Sequence, residues 1–127
     1  MMNATLNVDA TWPATHTPMP QRLVLTWGAH EEEVNQKHPM LTVGREATCG
    51  IVIKGGKISR LHARIEYRNE HFSLTDSSSN GTFVADAAGR TSKVSNETYV
   101  LLGAGTISFG VDPETGRPHL FKYAVRS

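Results

Sequence analysis

Residues 62–82 read His62-Ala63-Arg64-Ile65-Glu66-Tyr67-Arg68-Asn69-Glu70-His71-Phe72-Ser73-Leu74-Thr75-Asp76-Ser77-Ser78-Ser79-Asn80-Gly81-Thr82. Ala63, Ile65 and Tyr67 alternate with His62, Arg64 and Glu66. After a polar turn at Arg68-Asn69-Glu70-His71, Phe72, Leu74 and Asp76 continue the same two-residue period. Successive side chains of a strand point to opposite faces, so this period predicts two half-buried strands joined as a hairpin. The hairpin leads straight into a serine run and an Asn-Gly turn.

The same texture extends outward. Arg22 to Trp27 alternates, and a turn at Gly28-Ala29-His30 leads into Glu31 to Lys37, a charged segment suited to a sheet edge. Met40 to Val43, Ile51 to Ile53, Val100 to Leu102, Thr106 to Phe109 and His119 to Val125 are further strand candidates, and no stretch shows a long helical period. Short strands broken by Gly, Asn, Asp and Pro predict an all-β antiparallel sandwich or barrel of low helix content. Gly103-Ala104-Gly105 begins like a dinucleotide-binding loop, but Ser108 stands at the third glycine's place and strands flank it, so a turn is expected.

With 127 residues, one domain is expected. Met1 to Pro20 carries Pro13, Pro18 and Pro20 without sustained periodicity and reads as a tail or linker, leaving 21–127 as the domain. Trp12 is either docked on the domain surface or an isolated aromatic. Thirteen basic and twelve acidic residues give a formal charge of +1, so no global field draws the chain to nucleic acid or to an anionic membrane. The single Cys49 and the lack of a signal segment point to a reducing, cytoplasmic setting. Six histidines (His16, His30, His38, His62, His71, His119) without finger-like spacing predict no metal site, and no cofactor is expected.

Three clusters at strand ends carry the chemistry: Gly44-Arg45, Ser59-Arg60-Leu61-His62, and Ser77 to Thr82. The glycine lets the chain turn tightly while the Arg45 guanidinium offers parallel donors to two phosphate oxygens; a surface salt bridge is the plainer alternative. Ser59 presents a hydroxyl and a backbone N–H at the start of a strand, where an ordinary turn serine also fits. Arg60 adds a second permanent charge, and two neighbouring arginines repel unless an anion lies between them. His62 suits a structural role between loops; a catalytic Ser-His couple would need a third group to orient the ring, and none is evident. Ser79 and Asn80 precede Gly81, where Asn80 can pair with the backbone of an extended peptide or simply form a hairpin turn. Asp76 and Thr82 are loop staples on this reading.

The order and spacing of Gly44-Arg45, Ser59 to His62 and Asn80-Gly81 resemble the forkhead-associated (FHA) family, over roughly Gln21 to Val125. The resemblance implies a twisted β-sandwich of two sheets with ligand loops at one end, and a non-enzymatic signalling module that binds phosphothreonine peptides. By position, Arg45, Ser59, Arg60 and Ser79 match phosphate contacts, Asn80 matches the peptide-backbone contact, and Gly44 and His62 match scaffold positions, with Gly81 in the same turn. Lys57 matches a position facing residues C-terminal to the phosphothreonine, which implies a preference for an acidic residue about three places on; a solvated loop lysine is the alternative. Where the family often has a second Asn-Gly, this chain has Ala85-Asp86.

Two other functions fit the same residues. One is phosphate-independent docking through a sheet face. The other is the regulatory end of a larger bacterial enzyme, since Trp12 through Leu25 is similar to the linker and first strand of FHA domains that follow nucleotide-cyclase domains. Thr5, Thr11, Thr15 and Thr17 also allow a phosphorylated N-terminal tail captured in cis or in trans.

Overall fold

Residues 63–76 form the hairpin their alternation calls for. In the computed structural model, which describes residues 21–116 and 119–127, Ala63–Arg68 and His71–Asp76 are antiparallel partners with Ile65 opposite Leu74. Both of those side chains are fully buried, whereas Arg64 and Thr75 on the other parity are partly exposed. Asn69 and Glu70 both take positive φ, 52° and 65°, the backbone of a type I′ turn, whose twist matches that of the two strands. Eleven strands follow in chain order: β1 Arg22–Trp27, β2 His30–Asn35, β3 Met40–Gly44, β4 Ile51–Val52, β5 Ala63–Arg68, β6 His71–Asp76, β7 Thr82–Asp86, β8 Thr91–Val94, β9 Thr98–Leu101, β10 Ala104–Phe109 and β11 Phe121–Arg126. The described residues contain no helix, and so none long and apolar enough to cross a membrane. The tail at 1–20, the docking of Trp12 and the capture of Thr5, Thr11, Thr15 or Thr17 lie outside the described residues.

The strands make a five-stranded sheet, β9-β6-β5-β3-β4, and a six-stranded sheet, β2-β1-β11-β10-β7-β8. Every pairing is antiparallel except β3 with β4, which run parallel with Val43 beside Ile51 and Gly44 beside Val52. The core lies between the sheets: Val43, Ile65, Phe72, Leu74 and Leu101 from one meet Leu23, Leu25, Val84, Ile107 and Phe121 from the other. Each large side chain removed from water contributes about 1.5–3 kcal/mol, so the sandwich rests on this layer. β2 is an edge strand, as its charge suggests, with Glu33 paired to Arg22 at 3.1 Å.

Two features differ from the sequence reading. The hairpin β7–β8 was not expected, because Phe83 and Val84 form a continuous apolar pair without alternation. Val84 faces the core, while Phe83 on the other face is covered by Lys93, whose Nζ lies 5.8 Å from the ring centre. Ala104-Gly105 is strand rather than turn, and only Gly103 turns, with φ 64°. Gly105 serves packing there, since a Cβ would overlap the Ala85 carbonyl oxygen and press on the Tyr123 ring.

Glu70 pays a left-handed backbone penalty that glycine does not. Glu70→Gly is therefore expected to raise stability by about 0.5–1 kcal/mol in urea unfolding, with an unchanged denaturant slope.

Candidate functional site

Three connections meet at one end of the sandwich: the β3–β4 loop, the β4–β5 loop and the β6–β7 loop. Their backbones are laced together. Arg45 N–H donates to the Ser59 carbonyl (3.0 Å), Glu46 N–H to the Arg60 carbonyl (3.2 Å), and Ser77 N–H to the His62 carbonyl (3.0 Å). Gly44 makes the first contact feasible, because a Cβ there would overlap the Arg60 carbonyl oxygen. The glycine ahead of Arg45 is thus required by close packing of two loops, and its φ is ordinary.

Arg45 is exposed, but its Nε donates to the Ile58 carbonyl at 3.1 Å, which holds one edge of the guanidinium while the terminal nitrogens make no hydrogen bond among the described residues. Arg60 is also exposed. Among the described residues neither arginine belongs to an ion pair, although Arg22, Arg64 and Arg68 each do. Ser59 uses its amide differently from expectation. Its N–H donates to His62 Nδ1 (3.1 Å), so it is not offered to an anion; the hydroxyl oxygen accepts from Ser79 N–H (3.1 Å) and keeps its proton to donate outward. Asn80 Nδ2 donates to the Lys57 carbonyl (3.1 Å), and its carbonyl oxygen and second N–H have no hydrogen-bond partner among the described residues. The Lys57 side chain is exposed.

Beneath this rim lies a buried polar frame. His62 is wholly buried, accepts from Ser59 through Nδ1 and donates from Nε2 to the Gly81 carbonyl at 2.8 Å, which fixes a single neutral tautomer. Burial holds its pKa below the ordinary 6.5, outweighing the opposing pull of the Gly81 carbonyl and of Asp76. Asp76 does stand near the ring, with Oδ1 3.9 Å from Nε2, so a third group exists that the sequence did not reveal. It does not complete a catalytic triad: the imidazole meets the Ser59 amide and not its hydroxyl, and Nε2 is taken by Gly81.

Asp76 accepts four bonds. Ser78 Oγ (2.7 Å) and Thr82 Oγ1 (2.8 Å) donate to Oδ1, and the N–H groups of Ser78 (3.2 Å) and Asn96 (2.9 Å) donate to Oδ2. Ser78 Oγ in turn accepts from Gly81 N–H at 2.8 Å, and Gly81 takes φ 85°. Ser78, absent from the sequence-based set, is the inward member of the serine run. Its signal was parity, since it shares a face with Asp76 two residues before. The structure therefore brings Gly44, Arg45, Lys57, Ser59, Arg60, His62, Asp76, Ser79, Asn80, Gly81 and Thr82 into one bonded loop assembly. Among the described residues, no three His, Cys, Asp or Glu side chains gather as metal ligands. A separate depression of about 500 Å³ on the six-stranded sheet, lined by Val24, Ala104, Thr106 and Ala124, shares no residue with the assembly.

The FHA domain family model matches residues 41–110, which includes all three loops. The chain belongs to the FHA family. FHA domains are non-enzymatic modules that bind phosphothreonine peptides. Among solved structures the fold is similar to Rv1747 FHA-1 of Mycobacterium tuberculosis, at 19% identity and TM-score 0.66, covering 86% of this chain and 100% of that one. It is similar also to the N-terminal FHA domain of S. cerevisiae Rad53p in complex with a phosphothreonine peptide, at 20% identity and TM-score 0.58, covering 84% and 92%. The FHA domain of an Arabidopsis thaliana hypothetical protein matches at 26% identity and TM-score 0.54, covering 84% of each chain. A search of curated proteins gives no match.

Two outcomes follow from the frame. Gly44→Ala should cost about 1–3 kcal/mol in chemical denaturation, because two backbones must part. Because the folded state holds His62 neutral, the unfolded chain binds more protons below pH 6.5. The stability this contributes is complete above about pH 6.5 and falls as pH drops from there through the lower folded pKa. Urea midpoints measured between pH 7.5 and 5 should decline on acidification, and the part due to His62 should vanish in His62→Gln.

Proposed function

We propose that this FHA domain reads phosphothreonine in a partner protein, with the phosphate seated at the rim between Arg45 and Arg60. The observation that carries this reading is the Arg45 guanidinium, oriented by the Ile58 carbonyl and in no ion pair among the described residues, on loops already bonded to one another. On this reading Arg45 and Arg60 donate charge-assisted bonds to the phosphate, the Ser59 and Ser79 hydroxyls add neutral ones, and Asn80 pairs with the peptide backbone. Lys57 faces the residue about three places after the phosphothreonine and favours an acid there. The domain acts as a non-enzymatic signalling module in the cytoplasm, recruiting threonine-phosphorylated proteins.

The unphosphorylated peptide lacks the charge-assisted bonds, each worth about 1.5–3 kcal/mol, and should bind far more weakly. Fluorescence anisotropy with a degenerate phosphothreonine library and its plain-threonine version tests this. Arg45→Ala is expected to weaken the phosphorylated form about 10- to 100-fold and to leave the plain form unchanged. Equal binding of the two forms by the wild type would overturn the proposal in favour of phosphate-independent docking.

A further inference from the structure

The depression of about 500 Å³ on the six-stranded sheet has a floor of short side chains. Val24 stands opposite Ala124 and Ala124 opposite Ala104, so the three lie in one row across β1, β11 and β10. Leu23 and Leu25 on either side of Val24, and Tyr123 beside Ala124, belong to the core; side chains alternate between faces, which puts the row on the sheet's outer face. Thr106 also lines the depression, as do the longer Lys122 and Arg126, and short side chains among long ones leave a hollow. Val24 is only 9% exposed although it is no member of the core between the sheets, so the floor is recessed.

The segment 1–20 joins the domain beside this hollow. Arg22 opens β1 opposite Arg126, and Val24 follows two residues later. The β6–β7 loop of the rim adjoins the start of β7, whereas Asp86 ends that strand at the hollow, so the two sites lie at opposite ends of the sheet. The largest apolar side chain of 1–20 is Trp12, and the segment has no Lys or Arg and a single acid, Asp9, which suits a hollow lined by Lys122 and Arg126. From β1 to β7 the hollow crosses three strand spacings, about 15 Å. Trp12 precedes Arg22 by ten residues, an extended reach of roughly 33 Å, ample for any point of the floor. A buried indole needs an acceptor for its N–H. Asp86 Oδ1 accepts from the N–H groups of Ala88 and Arg90, both at 2.9 Å, and Oδ2 has no partner among the described residues.

We propose that Trp12 docks in this hollow in cis, with its ring on Val24, Ala104 and Ala124 and its N–H on Asp86. The chain then closes its own sheet face. A protein that recognises that face must displace an occupant held at high effective concentration by its short tether. The docking uses no group of the rim, so it stands or falls apart from the phosphothreonine reading.

The test is NMR on the full chain, with the indole signal of Trp12 told from that of Trp27 by Trp12→Phe. Nuclear Overhauser contacts are expected from the Trp12 ring to the Ala104 and Ala124 methyl groups, unchanged on dilution and absent between differently labelled molecules in a mixed sample. Ala124→Glu and, separately, Thr106→Lys should abolish these contacts by filling the hollow with a charged side chain, while preserved amide signals from Ile65 and Leu74 show that the sandwich is intact. Absence of the contacts in the wild type overturns the proposal, as do contacts that survive either variant. Contacts seen only between molecules overturn docking in cis and mark exchange of the segment between copies.

Discussion

His62 sits without solvent contact under the rim, accepting the Ser59 amide on one nitrogen and donating to the Gly81 carbonyl from the other. Those two bonds join the β4–β5 loop to the β6–β7 loop, and a third strand of the assembly enters through Gly81, whose carbonyl also accepts from Gly110 N–H. Only the neutral ring with hydrogen on Nε2 makes both bonds, since a second proton would face a backbone donor. Phe109 meets the ring edge-on at 5.8 Å and keeps water out. The positions of Ser59, Ser79 and Asn80 are thereby set before any ligand arrives, which lowers the ordering entropy that binding must overcome.

The frame extends through Asp76, whose four accepted bonds convert a run of three serines into a defined turn. Buried polar groups are costly unless satisfied, and here each member of the set has a partner. The chemistry of the rim and the stability of the fold are therefore linked: loss of Asp76 or His62 would unpair the loops before it touched any ligand contact. Arg45, by contrast, is held only at one edge by a carbonyl and can be removed with little consequence for the frame.

Much of this was legible in the chain. The two-residue alternation of 62–76 marks a hairpin because one face is core and the other is wet, and the order Gly-Arg, Ser-x-x-His, Asn-Gly marks the loops. What was hidden had physical causes. Thr82 to Val84 are buried on both faces, by the core and by Lys93 over Phe83, which erases alternation. The parallel β3–β4 contact is two residues long, too short for any pattern. The commitment of the Ser59 amide to His62, the inward turn of Ser78 and the approach of Asp76 to the imidazole arise from loops distant in sequence, so local reading gave the residue types without their partners.

Arg45 and Arg60 are both exposed and neither belongs to an ion pair among the described residues; on the proposed reading an anion held between them is kept in its more charged form. Phosphothreonine loses its second proton near pH 6 when free. The most direct measurement is the ³¹P NMR titration of a phosphothreonine peptide under saturating protein. The account predicts that this pKa falls well below its free value, the dianion being stabilised by Arg45 and Arg60, and that the shift shrinks with Arg45→Ala. A bound peptide whose phosphate titrates as it does in free solution would contradict it.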